Sequence, residues 1–225
     1  MIDNFERIRK LIDWNENEHL FFHCQVVRRG KDHPNLPAAN MPIKTWFVNS
    51  KAYFDKITPD IKFLCEQYQA RAYINIAPKS MVKLNQLVVS KITMNAFNGN
   101  VINPMRMIRS AAGELTPEIK KWVVDIDTRD YEIYIDILLE LDSVWEKNHP
   151  EDKYKLDRNK HPWLYEVFDT LNGVHLITKP FNLAKFKELF KEGNILHGYP
   201  VDVHKNNPTV LYIPQSICGR VSSSR

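Results

Sequence analysis

Asp125 and Asp127 are separated by a single isoleucine in Trp122-Val123-Val124-Asp125-Ile126-Asp127-Thr128. Read as a strand, this stretch alternates faces, so both carboxylates project one way while Val124 and Ile126 project the other. Two unscreened carboxylates that close repel, and a hard divalent cation removes the conflict. Mg²⁺ is commonly held by one or two carboxylates together with substrate phosphates. An acidic strand end leading into a turn would carry the same residues without any metal. Further along stand His175, in Asn172-Gly173-Val174-His175, and a third acid, Asp202, followed by Lys205. Three acids and a histidine on one sheet face would suit phosphoryl transfer, the acids holding Mg²⁺ or Mn²⁺ and the histidine meeting phosphate oxygens.

The elements that must position these groups follow from periodicity. Residues 130–146 place Tyr134, Ile137, Leu138, Leu141, Val144 and Trp145 at helical spacing, which predicts an amphipathic helix behind Asp127. Residues 164–171 and 174–178 read as strands joined by an Asn172-Gly173 turn, a strong hairpin signal. Asn182 is expected to cap a helix over 183–191 ended by Gly193, and Val201–Lys205 with Pro208–Ile213 reads as a closing hairpin. The first part of the chain predicts a helix over 2–14, strands over 20–27 and 45–48, and an extended, proline-marked connection over 32–43. Residues 50–69 read as helix, capped by Ser50 and restarting at Thr58-Pro59-Asp60. A strand over 70–76 would put Arg71, Tyr73 and Asn75 on one face, with the Arg71 guanidinium offering two parallel donors to a substrate phosphate. Helices over 80–97 and 104–113 complete this half. The expectation is an α/β (α+β) fold with mixed sheets: one domain, 1–225, built of a module 1–113 and an acid-bearing module 114–225.

Asp-Ile-Asp, then Gly-Val-His on a hairpin strand, then Val201-Asp202 resembles the three-motif pattern of the archaeo-eukaryotic primase superfamily: Asp-x-Asp, small-residue-x-His, hydrophobic-Asp. The resemblance covers residues 122–213. It implies a primase-like fold with an RRM-like C-terminal half flanked by helices, and a primase- or polymerase-like nucleotidyltransferase using two metal ions. Asp125, Asp127 and Asp202 would then be catalytic metal ligands for Mg²⁺ or Mn²⁺, with His175 contacting the nucleotide's phosphates; Arg71 and Lys205, outside the family pattern, are further candidates for binding the nucleotide. The partners implied are a nucleoside triphosphate and DNA or RNA. The sequence departs from the pattern where Gly173 stands in place of the usual serine, and it lacks the family's cysteine-based zinc module. The strings Ala70–Asn75 and His175–Asn182 also resemble strings in small bacteriophage-encoded proteins.

Composition leaves room for this reading without demanding it. The chain has 225 residues, 44% of them hydrophobic and 26% charged, with a net charge of +4 and a pI near 8.8. That is mildly basic, compatible with a phosphate-rich partner. Cys24, Cys65 and Cys218 form no Cys-x-x-Cys pair, which argues against a zinc knuckle or disulfide framework and for a reducing, cytoplasmic setting. No run approaches 18 apolar residues and the N-terminal stretch lacks a signal peptide's apolar core, so no membrane partner is expected. Three other readings remain open at this point. One is a non-catalytic nucleic-acid-binding module of the same fold, gripping a strand through basic loops 28–31 and 153–160 with Tyr73 and Trp163. The others are a metal-dependent nuclease or phosphohydrolase, and a virion or assembly protein.

Overall fold

The computed structural model describes residues 1–14, 19–149 and 161–221, with side chains as far as Gly219; the basic stretch 153–160 lies outside the described residues. The chain is α/β and divides into two compact units, Met1–Ile119 with Pro208–Arg225, and Lys120–Asn207. The joint therefore lies a few residues beyond 113, and the last segment returns to the first unit. Among the described residues no helix is long and apolar enough to cross a membrane.

The first unit is a six-stranded sheet in the order β1 (Ile2–Asp3), β10 (Thr209–Ile213), β4 (Arg71–Ile74), β2 (Leu20–Arg29), β3 (Asn40–Val48), with β5 (Lys79–Ser80) also pairing β2. β3 begins at Asn40, inside the stretch that proline content marks as a connection. It is an edge strand, and Pro42 pairs Val27 beside a register shift, the kind of position to which proline is confined in sheets. Helix α1 (Phe5–Leu11) and α2 (Lys51–Tyr68) bury Ile8, Phe54, Ile57, Ile61 and Cys65. Ser50 caps α2 by accepting from the Tyr53 amide at 3.2 Å. α2 does not restart at Pro59 but runs through it, because burial of Phe54, Ile57 and Ile61 on either side outweighs one lost backbone bond. α3 (Met81–Phe97) and α4 (Pro104–Glu114) form a helical pair whose inner residues Leu84, Ala111, Ala112 and Leu115 cluster with Phe21.

The second unit runs β6 (Trp122–Ile126), α5 (Tyr131–Glu146), β7 (Leu164–Asp169), β8 (Val174–Thr178), α6 (Leu183–Glu188), β9 (Val201–His204). Its strands are antiparallel in the order β7-β8-β6-β9. That is the split β-α-β, β-α-β connection shared by ferredoxin-like and RRM-like folds. Asp130 and Asn182 cap α5 and α6, each accepting from a backbone amide of the first turn. Trp122, Val124, Ile126 and Leu176 pack with Ile137, Leu141 and Phe186 in one core, so the two helices cover one face of the sheet.

β9 and β10 do not form the expected hairpin. β9 pairs β6 in the second unit, whereas β10 lies between β1 and β4 in the first. Asn206-Asn207 is thus a crossing between units rather than a turn. All five residues of β10 are buried, which an exposed closing hairpin would not require.

Candidate functional site

Side chains on β6 alternate as expected: Val124 and Ile126 enter the helix-covered core, leaving Asp125 on the opposite face. Register then decides what Asp125 meets. It is directly opposite His175 on β8 and directly opposite Asp202 on β9, and His175 is opposite Phe168 on β7. Residues directly opposite one another in an antiparallel pair share a face with Cβ atoms roughly 4.5–5.5 Å apart. Phe168, His175, Asp125 and Asp202 therefore form one row across all four strands. The His175 Nε2 lies 3.3 Å from Asp125 Oδ1. His175 is only 8% exposed, more deeply set than an open-cleft histidine would be, while Asp125 is partly buried and Asp202 exposed.

Asp127 falls just past the end of β6, exposed, its amide donating to the Pro200 carbonyl at 3.0 Å. That bond ties the loop carrying Asp127 to the segment that leads into β9. Gly173 holds the other side of the same loop. A Cβ at Gly173 would lie 1.9 Å from the Ile126 carbonyl oxygen and within 2.8 Å of the Thr128 amide nitrogen. The residue before Val174-His175 must be glycine because β8 begins against the backbone of the Asp-x-Asp segment. The turn itself does not need it: Gly173 has no positive φ, and neither does Asn172. The connection is closed by Thr170, whose amide donates to the Gly173 carbonyl at 2.9 Å and whose hydroxyl accepts the Gly173 amide at 3.1 Å. Asn-Gly here does not form the two-residue turn that the dipeptide suggests.

Lys205 is not brought to this row. It follows β9 and sets its ammonium 5.3 Å from the centroid of Trp122, a residue of the helix-side core three positions along β6 from Asp125. His204 is brought there instead. It stands two residues from Asp202 and opposite Val123, hence on the acid-bearing face. The period of two from Asp202 was the signal for it.

Arg71 belongs to the first unit and is buried. Its fork grips Asp32, Nε donating to Oδ2 at 2.7 Å and Nη2 to Oδ1. A phosphate at Arg71 would have to displace that carboxylate. Burial alone would lower the Arg71 pKa, but the hydrogen bonds and charge of Asp32, together with Tyr73, raise it overall. Residues of the basic loop 28–31 are engaged as well: the Gly30 amide donates to the Ala39 carbonyl at 2.7 Å within the β2–β3 hairpin, and Arg29 donates to the hydroxyl of Tyr73 on β4 at 3.1 Å. His33 accepts from Arg28 and donates to the Gln69 carbonyl at 2.7 Å, which assigns its proton to Nε2. Trp163 is fully buried with its indole N–H donating to Asp142 at 2.7 Å, so it offers no face for a base to stack on.

The two carboxylates of the row are hard oxygen donors, the kind Mg²⁺ and Mn²⁺ take. Among the described residues no group of three or more His, Cys, Asp or Glu side chains stands close enough to cage a metal. What fits is narrower: the Asp125–Asp202 pair, whose remaining coordination would come from water and substrate oxygens. No family model, curated protein or solved structure matches this chain.

Proposed function

We propose that the chain is a primase-like nucleotidyltransferase whose second unit binds a nucleoside triphosphate with Mg²⁺ or Mn²⁺ and transfers the nucleotide to a DNA or RNA end. The observation that carries this reading is the row His175–Asp125–Asp202 on three adjacent strands, with the Asp127 loop held against Gly173. Asp125, His175 and Asp202, one residue from each of the three ordered motifs, lie on the first, third and fourth strands of the unit, which supports this reading.

In this reading Asp125 and Asp202 would hold the metal, with water and substrate oxygens completing its coordination, and Asp127, exposed on the loop past β6, does not join them in a group of three. A divalent ion held there would supply charge neutralisation of a triphosphate and would make an attacking hydroxyl more acidic. His175 keeps Asp125 oriented through its Nε2 and presents a donor to a phosphate oxygen when the triphosphate occupies the row. Neither Lys205 nor Arg71 is needed for this arrangement. The cytoplasm suits such a protein, its three cysteines being free thiols.

The test is titration of the full chain with Mn²⁺ and a nucleoside triphosphate, followed by product analysis with labelled nucleotide and oligonucleotide. Asp125→Asn and Asp202→Asn should each weaken metal-dependent nucleotide binding at least tenfold and abolish incorporation. Cleavage of the oligonucleotide in place of extension would assign metal-dependent hydrolysis. Oligonucleotide binding that survives EDTA, with no nucleotide binding, would leave a non-catalytic module.

A further inference from the structure

We infer that the α3–α4 helical pair is an acid-released flap: a proton on His23, set against the buried ammonium of Lys79, frees the pair from the first unit's sheet while the rest of that unit stays folded.

His23 and Lys79 share one face of the sheet. Lys79 is directly opposite Phe21, and His23 lies two residues along β2 from Phe21, so all three side chains project the same way. His23 is 6% exposed and Lys79 1%. The Lys79 ammonium ties the sheet to α4 by donating to the Ala112 carbonyl at 2.8 Å, near the negative end of that helix. The buried core beneath the pair is small: Phe21 meets Leu84, Ala111, Ala112 and Leu115. Both ends of the pair are fixed to the chain that flanks β5, the Met81 amide donating to the His19 carbonyl at 2.7 Å and the Glu118 amide to the Pro78 carbonyl at 2.8 Å. The segment between those two bonds can therefore lift and return as a unit. The sheet does not depend on it, because α2 packs on β2, β3, β4 and β10 with Phe54, Ile57 and Ile61 buried.

The groups around His23 leave a second positive charge uncompensated. β3 brings the ring of Phe47, and the segment after β4 brings Asn75, whose side chain hydrogen-bonds the imidazole. Further along the same face, Tyr73 and Arg29 are bonded to each other. On the helices, Lys91 pairs Glu114, and Lys83 pairs Glu118 just beyond α4, each at 2.9 Å; Arg106 is exposed, and Arg109 donates to the Met105 carbonyl of its own helix. The charge that acts on His23 is that of Lys79, and among the described residues no carboxylate offsets it. Lys79 is held down to about 8 by burial, so it is charged whenever His23 titrates. Burial, and then Lys79, push the His23 pKa down to about 4 in the closed form. Lifting α3 and α4 lets both side chains reach water, where an imidazole titrates near 6.5. The open form thus binds one more proton between those values, and opening is favoured as pH falls through them.

The test is amide hydrogen exchange of the full chain from pH 7 to 5, each rate divided by its intrinsic rate at that pH. The opening constant of α3 and α4 amides should rise nearly tenfold per pH unit from about 6 to 5, the slope of one proton, while β4 and α2 keep their protection. The Lys91–Glu114 pair also weakens in acid, but only as carboxylates protonate, below this range. His23→Gln cannot take up the proton and should hold α3 and α4 equally protected across the range. Should that variant not fold, His23→Phe, apolar and equally unable to titrate, takes its place. Three results each overturn the inference: protection of α3 and α4 that does not change with pH, a loss shared equally by β4 and α2, or the same slope in the variant as in the wild type.

Discussion

Asp202 is the residue whose cost is easiest to see. It stands directly opposite Asp125, and like charges so placed in a sheet destabilise it. Asp202→Asn should therefore stabilise the metal-free protein by up to about 1 kcal/mol and should remove the rise in melting temperature expected of the wild type with Mn²⁺. Differential scanning fluorimetry with and without Mn²⁺ reads both effects, and a metal-independent melting temperature in the wild type would argue against the carboxylate pair. His175→Ala should cost nucleotide affinity about tenfold, since a charge-assisted hydrogen bond contributes roughly 1.5–3 kcal/mol. Because the ring is buried beside Asp125, melting should fall as well, which alternation along the strand alone did not foretell. Gly173→Ala drives a methyl into the Ile126 carbonyl and should destabilise by at least 2–3 kcal/mol, roughly the upper range for overpacking; a urea titration measures it. A different residue governs acid stability. His23 is 6% exposed, its Nε2 unpartnered among the described residues, and burial followed by the charge of Lys79 pushes its pKa down to about 4 from an ordinary 6.5. The unfolded chain then binds more protons between those values, so stability falls as pH drops from about 6.5 to 4, by roughly 3 kcal/mol. Lys79, itself 1% exposed and pushed down to about 8 by burial, acts at the other end: stability rises as pH climbs from about 8 to 10.5. Urea midpoints against pH, with His23→Gln expected to flatten the acid limb, check the assignment.

At the scale of elements, the Arg71–Asp32 pair joins β4 to the β2–β3 connection. Asp32→Ala leaves a buried guanidinium uncompensated and should cost about 3–5 kcal/mol. Arg71→Lys, losing the fork, should lower stability without changing nucleotide affinity; a change in affinity with stability intact would restore Arg71 to substrate binding. The elements legible from sequence were those whose period is undisturbed by neighbours. β8 falls on Val174–Thr178 as alternation predicts, and α3 and α5 lie where their apolar spacing puts them. Local breakers misled where tertiary packing decided: Pro59 sits inside α2, and Pro42 inside an edge strand. The acid row was legible in part. Parity along one strand finds Asp125 and, through Asp202, His204; only register between strands reveals that His175 and Asp202 flank Asp125 on the same row. Lys205, one residue off that parity, shows how a basic residue close in sequence can face the other way.

For the whole molecule, the consequential feature is where β10 goes. Its residues lie far along the chain, yet they pair β1 and β4 inside the first unit's sheet. Deleting residues 208–225 should therefore unfold the first unit rather than trim a tail, visible as lost β signal and lost amide protection in β1 and β4. That β9 and β10 part company could not be read from Val201–Ile213, because two short apolar runs joined by Asn-Asn look the same whether they pair locally or not. The same placement sets a timetable for synthesis. Lys120–Asn207 is contiguous and can fold as soon as it leaves the ribosome, whereas β4 must wait for β10 to be made. At about 5–20 residues per second that wait is on the order of ten seconds. Throughout it the edge of β4 that β10 will cover lies open, a period in which a nascent-chain chaperone has something to hold.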